Sequence, residues 1–486
     1  MSLTMRALVA LVLFIGFYAL AIALAGLLFF LPLAELMFLD RIHIKLALVC
    51  VIAGGVILWS VMPRFDRFVA PGPQLLREEH PELFATIDDV AQRTGQQAPA
   101  EVYLVHDVNA WVAQRGGLLG IGSKRVMGLG LPLMQVLSVT ELRAVLAHEF
   151  GHYHGGDTAL GPFIYRTRAA MARTVVNLSE SGMWMLVIVS LPFKAFGQLF
   201  LRVTHAISRA QEFAADALAA QVEGPAALSS SLRTIHGAAM AFEPYLHGEL
   251  APVLGRGHRP PVAAGFARFI GAENIASVVK QSVDEELASG VGDPLDTHPP
   301  LRDRIAAVEG LPARDAPADD RRSICLLGDV SRVELALLKQ ILVIPVDELE
   351  TVDWEDVGRV VTLPDLRDTV SAGAGSLAGV PLRDAPCTAA ALTQLGRAWN
   401  VPLADEDPQQ AGVYLAQAAV LVTLAEQGWT VDSLPGSPVS VRQADGEPFV
   451  PHQALSAAMD AEDPRAAWTS TLQAAGVDPS LPMVAV

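Results

Sequence analysis

The stretch HEFGH at residues 148–152 decides how this chain of 486 residues is interpreted. Two histidines at i and i+4 lie on one face of a helix, so the imidazoles of His148 and His152 can both reach one Zn²⁺ ion. Glu149 follows the first ligand and is the natural base for a metal-bound water. A chain with 12 histidines is expected to contain this pattern by chance only about 0.01–0.02 times.

The residues before the motif predict the helix that it needs. Ser138 and Glu141 have the S-x-x-E spacing of a capping box, and Leu142 and Val145 follow on an apolar face. The sequence therefore predicts a capped helix that runs into His148.

A catalytic zinc site usually has a third protein ligand. The HExxHxxGxxH pattern does not supply it, because position 158 is Thr158. Further along, the segment QEFAAD at 211–216 spaces Glu212 and Asp216 at i and i+4 on a predicted helix, so both carboxylates face the same way. We expect Glu212 to bind zinc and Asp216 to accept the second ring N–H of a ligand histidine.

Two other residues near the motif are weaker candidates. Asp157, five residues past His152, is a second candidate for an outer contact of the metal site. His154 points to another face of the helix than His152 and is expected at the surface or behind the ligands.

Composition excludes several classes of protein. Hydrophobic residues make up 51% of the chain and charged residues 18%, with a mean hydropathy of +0.36, which argues against a disordered chain. A net charge of −17 excludes a general nucleic-acid binder. Three scattered cysteines are too few for a disulfide framework or a cysteine-based zinc site.

Much of the apolar content lies in two uncharged runs, at 7–31 and 46–62. The first run is longer than the apolar region of a signal peptide, the main alternative, and a second run follows it. We therefore predict a transmembrane hairpin within residues 1–70.

The basic residues around these runs predict an orientation. Four arginines flank the side that holds the rest of the chain, whereas the loop between the spans has two cations; in order, these are Arg6, Arg64, Arg67, Arg77, Arg41 and Lys45. This bias predicts a two-span protein of the cell inner membrane with its catalytic domain in the cytoplasm. A third apolar stretch, 182–203, is interpreted as interfacial, re-entrant or packed on the protein, because the zinc ligands on either side of it must bind the same ion.

The predicted fold is predominantly α with some β (α+β). After the hairpin, we expect a helical zinc metallopeptidase domain with a small β-sheet at 71–310 and a polar linker at 311–322. Residues 323–486 are expected to form a small acidic α+β module. From 351 to the C-terminus this region has 17 acidic residues, 6 arginines and no lysine.

The order of the motifs resembles a known family over about residues 1–310. HEFGH followed by Asp157, the QEFAAD segment, THPPLRDR at 297–304 and Asn109-Ala110-Trp111 are similar to segments of the membrane-embedded gluzincin metalloproteases of the HtpX and CAAX-prenyl protease type. The resemblance implies a gluzincin-like fold and zinc-dependent endopeptidase activity. It matches His148, His152 and Glu212 to the metal ligands and Glu149 to the catalytic glutamate.

The same resemblance implies roles for three further residues. His298 and Arg304 would face the substrate carbonyl and the developing oxyanion, where a hydrogen-bond donor is needed. Asn109 would lie on an edge strand that receives an extended peptide. The alternatives are a loop histidine before a Pro-Pro turn and a turn-forming asparagine between two strands.

Together these features predict an integral membrane zinc metalloendopeptidase with one Zn²⁺ per chain. It would cleave peptide bonds by glutamate-assisted attack of a zinc-bound water. We expect protein or peptide substrates, membrane proteins among them, a lipid bilayer as its environment, no nucleic acid, and a role in membrane-protein quality control or processing. The alternative is a membrane scaffold with a structural zinc site, whose acidic C-terminal module recruits partners.

Overall fold

The chain divides into two compact units in the computed structural model. Unit 1 comprises Met1–Ile235 and Val283–Gly328, and unit 2 comprises His236–Ser282 and Asp329–Val486. The structure describes residues 3–62, 68–115, 123–153, 161–179, 184–290, 298–312, 318–372, 377, 379–392, 408–444 and 446–483.

Most of the described residues are helical, which confirms the predicted fold class. The helices are α1 (Leu3–Leu39), α2 (Ile44–Val61), α3 (Pro81–Arg93), α4 (Leu131–Val136), α5 (Val139–Gly151), α6 (Gly161–Ser179), α7 (Trp184–Glu223), α8 (Pro225–Tyr245), α9 (Ala251–Gly255), α10 (Val262–Gly271), α11 (Glu273–Ser289), α12 (Leu301–Glu309), α13 (Val330–Ile341), α14 (Trp354–Val357), α15 (Leu363–Ala372), α16 (Ala385–Leu392), α17 (Pro408–Glu426), α18 (Pro451–Met459) and α19 (Pro464–Ala474). The strands are β1 (Gln74–Leu75), β2 (Glu101–Val105), β3 (Ala110–Arg115), β4 (Lys124–Gly130), β5 (His258–Arg259), β6 (Glu350–Thr351), β7 (Thr430–Asp432) and β8 (Ser440–Arg442).

Unit 1 contains a small mixed sheet with the strand order β1-β2-β4-β3. Strand β2 runs parallel to β4, and β3 pairs antiparallel to β4 at the edge of the sheet. The indole of Trp111 on β3 lies over Gly128 on β4, where a Cβ atom would come within 2.4 Å of the ring. The bare backbone at Gly128 therefore lets this edge pair pack tightly.

The predicted hairpin is present as α1 and α2. Helix α1 passes through Pro32 and ends at Leu39, later than the predicted end at residue 31, because Pro is tolerated inside membrane helices. Helix α7 is also long and apolar enough to cross a membrane, so the described residues offer three candidate spans where the sequence predicted two.

Helices α6 and α7 form a second hairpin that packs on the first. The ring centroids of Phe17 on α1 and Phe193 on α7 are 6.2 Å apart. The apolar core between the four helices is formed by Phe17, Ala21, Ala25, Ala53, Ile57, Val61, Ala170, Met171, Leu178, Leu186, Phe193 and Phe200. The part of the 182–203 stretch that the structure describes is thus packed on the N-terminal hairpin.

Hydrogen bonds show how far the α6–α7 hairpin extends along α2. Asn177 Nδ2 donates to Ser60 Oγ at 2.9 Å and Arg173 Nε to the Ser60 carbonyl at 3.4 Å, so the end of α6 lies beside the last turn of α2. Ser190 Oγ on α7 is 3.4 Å from Ser179 Oγ on α6. Trp184, the first residue of α7, precedes Ser190 by six residues and therefore lies about 9 Å further along the bundle than Ser190. In the same direction, α2 extends about 24 Å from Ser60 to Ile44. Helix α7 therefore begins roughly half way along α2.

Unit 2 is built around α17, which is buried on all sides within its unit. Its side chains pack against α15, α16, α18 and α19, and the buried residues of the helix are Ala411, Val413, Leu415, Ala416, Ala418, Ala419, Val420, Leu421, Val422 and Leu424. A helix that is apolar all round is expected at the centre of a fold.

The contact-based division does not follow the predicted domain boundaries, which stay a prediction. Residues 236–282 group with the C-terminal region, and the second half of the 311–322 segment packs on the start of α5. Val139 N donates to the Arg321 carbonyl at 2.9 Å, and Asp319 N donates to Thr140 Oγ1 at 2.7 Å.

The depth of the α6–α7 hairpin leads to a topology prediction. In a variant without the native cysteines, a cysteine at Met37 should react with an impermeant maleimide only from the side opposite the catalytic domain. A cysteine at Trp184 should not react from that side, since α7 starts about half way along α2. Membrane vesicles of both orientations would test this, with a cysteine at Arg77 reporting the catalytic side. Reaction of the Trp184 and Met37 positions from the same side would contradict the prediction.

Candidate active site

Helix α5 carries HEFGH and is fixed at its start by the capping box. Ser138 Oγ accepts a hydrogen bond from Glu141 N at 3.1 Å, and Glu141 Oε2 accepts one from Ser138 N at 2.8 Å, as predicted. The helix ends at Gly151, so His148 lies in its last turn and His152 follows directly at its C-terminal cap.

A glycine contact brings α5 against α7. A Cβ atom at Gly151 would lie 2.8 Å from Ala215 Cα, so any larger residue would push the helices apart. Glu212 and Asp216 flank Ala215 on α7, and this contact therefore carries both carboxylates to the histidines.

Three side chains converge at distances that suit metal ligands. His148 Nε2 is 3.5 Å from Glu212 Oε2, and His152 Nε2 is 3.6 Å from Glu212 Oε1. These separations are long for hydrogen bonds, but they are close to the roughly 3.3 Å expected between two ligands of a tetrahedral zinc with bonds of about 2.0–2.1 Å. The His₂Glu donor set also fits zinc.

A buried oxygen supports the same conclusion. Glu212 Oε2 is shielded from solvent and has no hydrogen bond of acceptable geometry, although His298 Nδ1 lies 3.0 Å from it. A buried carboxylate oxygen without a hydrogen bond is costly unless another group satisfies it. The donor set and this oxygen together fit a bound cation.

Asp216 lies behind the first histidine. Its Oδ1 is 2.9 Å from His148 Nδ1, which fixes the ring so that Nε2 faces Glu212. Burial lowers the pKa of His148, but the nearby carboxylates of Asp216 and Glu212 outweigh this effect and raise the pKa to about 9. A metal ion must displace that proton on binding.

Glu149 lies next to both histidines. Ligand atoms of His148, Glu149 and His152 are all within 4.8 Å of one another. Burial raises the pKa of the Glu149 carboxyl to about 7, although the positive charge of His148 opposes this shift. Burial also lowers the pKa of His152 to about 4, which favours the neutral imidazole that a metal requires.

The structure separates the positions of His298 and Arg304. The His298 side chain is 54% exposed at the mouth of the site, with Nδ1 close to Glu212. The Arg304 guanidinium is buried and donates twice to Asp216, from Nε at 2.8 Å and from Nη2 at 2.7 Å. Arg304 Nη2 also lies 3.6 Å from Glu212 Oε2, and its role toward the developing oxyanion stays a prediction.

Asn109 is exposed and directly precedes the edge strand β3. Its carbonyl accepts a hydrogen bond from Gly130 N at 2.8 Å, at the start of the β3–β4 pairing. Asp157 and His154 lie outside the described residues.

A buried ion-pair network near the site was not predicted from the sequence. Glu223, at the end of α7, accepts hydrogen bonds from Arg143 Nε on α5 at 3.0 Å and from Arg93 Nη1 on α3 at 2.8 Å. Glu223 follows Glu212 by eleven residues, or about three helical turns, so the two lie on one face of α7. The eleven-residue spacing of the two glutamates is the sequence signal from which this network could have been predicted.

Comparison with known proteins places the site in a family context. Residues 77–311 match the model of Peptidase family M48. The chain is 25% identical over 283 residues to a Protease HtpX homolog of Bacteroides fragilis, covering 53% of this chain and 79% of that protein. It is 26% identical over 256 residues to a homolog of Gemmatimonas aurantiaca (49% and 77% covered) and 24% identical over 274 residues to Protease HtpX of Mannheimia succiniciproducens (52% and 83%). No solved structure matches the chain significantly.

The ligand geometry leads to a prediction about metal affinity. Glu212→Ala should weaken zinc binding more than Asp216→Ala, because the first change removes a ligand atom and the second frees only the orientation of His148. Loss of such an orienting contact typically costs about 10–100-fold. Competition with a chelator of known affinity would measure both, with Glu309→Ala, an exposed glutamate of α12, as the control. If Glu212→Ala bound zinc with wild-type affinity, Glu212 would not be the third ligand, and His154 and Asp157 would be the next candidates.

Proposed function

We propose that the chain is a membrane metalloprotease of the HtpX type, whose peptidase domain lies within the residues 77–311 that match family M48, and that it hydrolyses peptide bonds at one Zn²⁺ held by His148, His152 and Glu212. The observation that carries this proposal is the placement of both histidines on the Glu212 carboxylate, with His148 Nε2 3.5 Å from Oε2, a buried oxygen without a hydrogen bond, and His152 Nε2 3.6 Å from Oε1. When bound, the ion supplies Lewis acidity toward the scissile carbonyl and the attacking water.

The side chains around the site perform the proton transfer. Glu149 accepts a proton from the attacking water and returns it to the leaving amine, and the raised pKa of its buried carboxyl supports this role. Asp216 and Arg304 hold His148 in the tautomer that keeps Nε2 free. His298, exposed at the mouth, is available to donate to the substrate oxygen.

The edge strand β3 supports a mode of substrate binding. Strand β3 pairs with β4 on one side only, among the strands that the structure describes, so its other edge can receive an extended peptide by backbone pairing. Asn109 at the start of β3 would contact that peptide. This arrangement favours unfolded or locally extended segments as substrates.

The path of α7 supports membrane-anchored substrates and a role in membrane-protein quality control or processing in the inner membrane. This one helix connects Phe200, the last of its residues in the apolar core of the bundle, with Glu212 at the metal site. Twelve residues of helix separate them, or about 18 Å. A site held at this distance from the bundle is suited to the extramembrane segments of neighbouring membrane proteins, with the catalytic domain on the cytoplasmic side.

The role of Glu149 is tested by an isosteric change. Glu149→Gln should keep about one zinc per chain and lose peptide hydrolysis, because the side chain lies beside the ligands without being one of them. Metal content and casein cleavage measured on the same preparation would show this, with Glu309→Gln as the matched surface control. Retained hydrolysis in Glu149→Gln would overturn the assignment of the base.

The distance set by α7 predicts a length dependence for anchored substrates. A single-span reporter should be cleaved efficiently only when at least about six extended residues separate its span from the cleavable segment, because about 18 Å must be covered at roughly 3.3 Å per residue. Reporters with linkers of 2, 6 and 12 residues would be compared in vesicles, with Glu149→Gln as the inactive control. Equal cleavage at the shortest linker would refute the distance rule without affecting the peptidase assignment.

A further inference from the structure

A segment of the peptidase domain belongs structurally to the C-terminal region. Residues 236–282 lie inside the range that matches family M48, yet they form unit 2 together with residues 329–486, which lie outside that range. The contacts within unit 2 explain this grouping.

The strongest contact is a helix cap supplied from a distant part of the chain. Helix α10 begins after Pro261, which makes no side-chain cap. Glu334 on α13 supplies it, because its Oε1 accepts a hydrogen bond from Val262 N at 2.9 Å and its Oε2 accepts one from Ala263 N at 2.8 Å. The Glu334 side chain is buried, and a carboxylate at this position satisfies N–H groups that would otherwise have no acceptor.

A tryptophan completes the packing of α10. Trp354 Nε1 donates to the Pro261 carbonyl at 2.8 Å. The indole lies against the bare backbone of Gly265, where a Cβ atom would be 2.4 Å from Nε1. Tyr245 OH donates to the Val262 carbonyl at 2.7 Å from the other side. The start of α10 is thus enclosed by buried groups, two of which, Glu334 and Trp354, come from the C-terminal region.

Ion pairs, a strand pair and a further hydrogen bond also join the C-terminal region to the 236–282 segment. Arg256 Nη2 donates to Asp368 Oδ2 at 2.5 Å, and Arg268 pairs with Glu355. Strand β5 pairs in parallel with β6, and Glu249 Oε1 accepts a hydrogen bond from Gly436 N at 3.0 Å. The charge of the region is therefore partly complementary to its own chain.

We propose that residues 329–486 complete the peptidase domain by holding residues 236–282 in place, so that the partner of the acidic region is this chain's own M48 segment. The held segment, with α10 and the first part of α11, lies within the range that matches family M48. An effect of this hold on substrate binding is the one consequence that rests on the proposed peptidase function.

The test uses the full-length protein in detergent with two variants, Glu334→Ala and Trp354→Phe, and native-state hydrogen exchange. Both should raise the exchange rates of the α10 and α11 amides by at least tenfold. The matched control is Trp468→Phe, since the Trp468 indole also donates to a backbone carbonyl, that of Leu382 at 2.7 Å, but within the core around α17. This control should raise exchange in α17–α19 and leave α10 at the wild-type rate.

Peptide hydrolysis gives a second, independent readout. Trp354→Phe should raise KM severalfold with zinc content unchanged, whereas Trp468→Phe should leave KM unchanged. Wild-type exchange in α10 of both variants, or equal effects of Trp354→Phe and Trp468→Phe on α10, would overturn the proposal. If wild-type protein shows no peptidase activity, the proposed function fails, and hydrogen exchange still decides whether the C-terminal region holds the segment.

Discussion

The close contact between α5 and α7 at Gly151 is the constraint on which the rest of unit 1 depends. A side chain at this position would meet Ala215 Cα, so the approach that brings Glu212 to the histidines exists only with glycine. The ion pair between Arg143 and Glu223 lies along the same interface between α5 and α7. Arg143 precedes Gly151 by eight residues and Glu223 follows Ala215 by eight, as expected for two antiparallel helices in constant register.

The sequence could predict what depends on local spacing. The i, i+4 pairs of HEFGH and QEFAAD and the capping box at Ser138 are short-range patterns, and the structure contains each of them as described above. The position of Arg304 behind Asp216, in contrast, depends on how α12 meets α7. The cap of α10 depends on a residue 72 positions later, so no local pattern could have predicted either contact.

The membrane helices show the same limit of prediction from local sequence patterns. Uncharged runs predicted α1 and α2, whereas arginines interrupt the apolar residues of α6, so no comparable run marks it as a partner for α7. The structure explains how it serves as one, because Arg173 donates to a carbonyl in the last turn of α2, where helix carbonyls lack intrahelical donors. Asn177 binds Ser60 at the same level. The polar groups of α6 satisfy the end of another helix, a pairing that composition alone does not indicate.

The dependence of α10 on Glu334 and Trp354 also imposes an order on biosynthesis. The ribosome makes HEFGH and QEFAAD early, but the cap of α10 cannot form until more than 350 residues have been made. The 236–282 segment therefore emerges long before the groups that enclose it. In a chain assembled in this way, both halves of the metal site leave the ribosome before the groups that enclose α10 have been made.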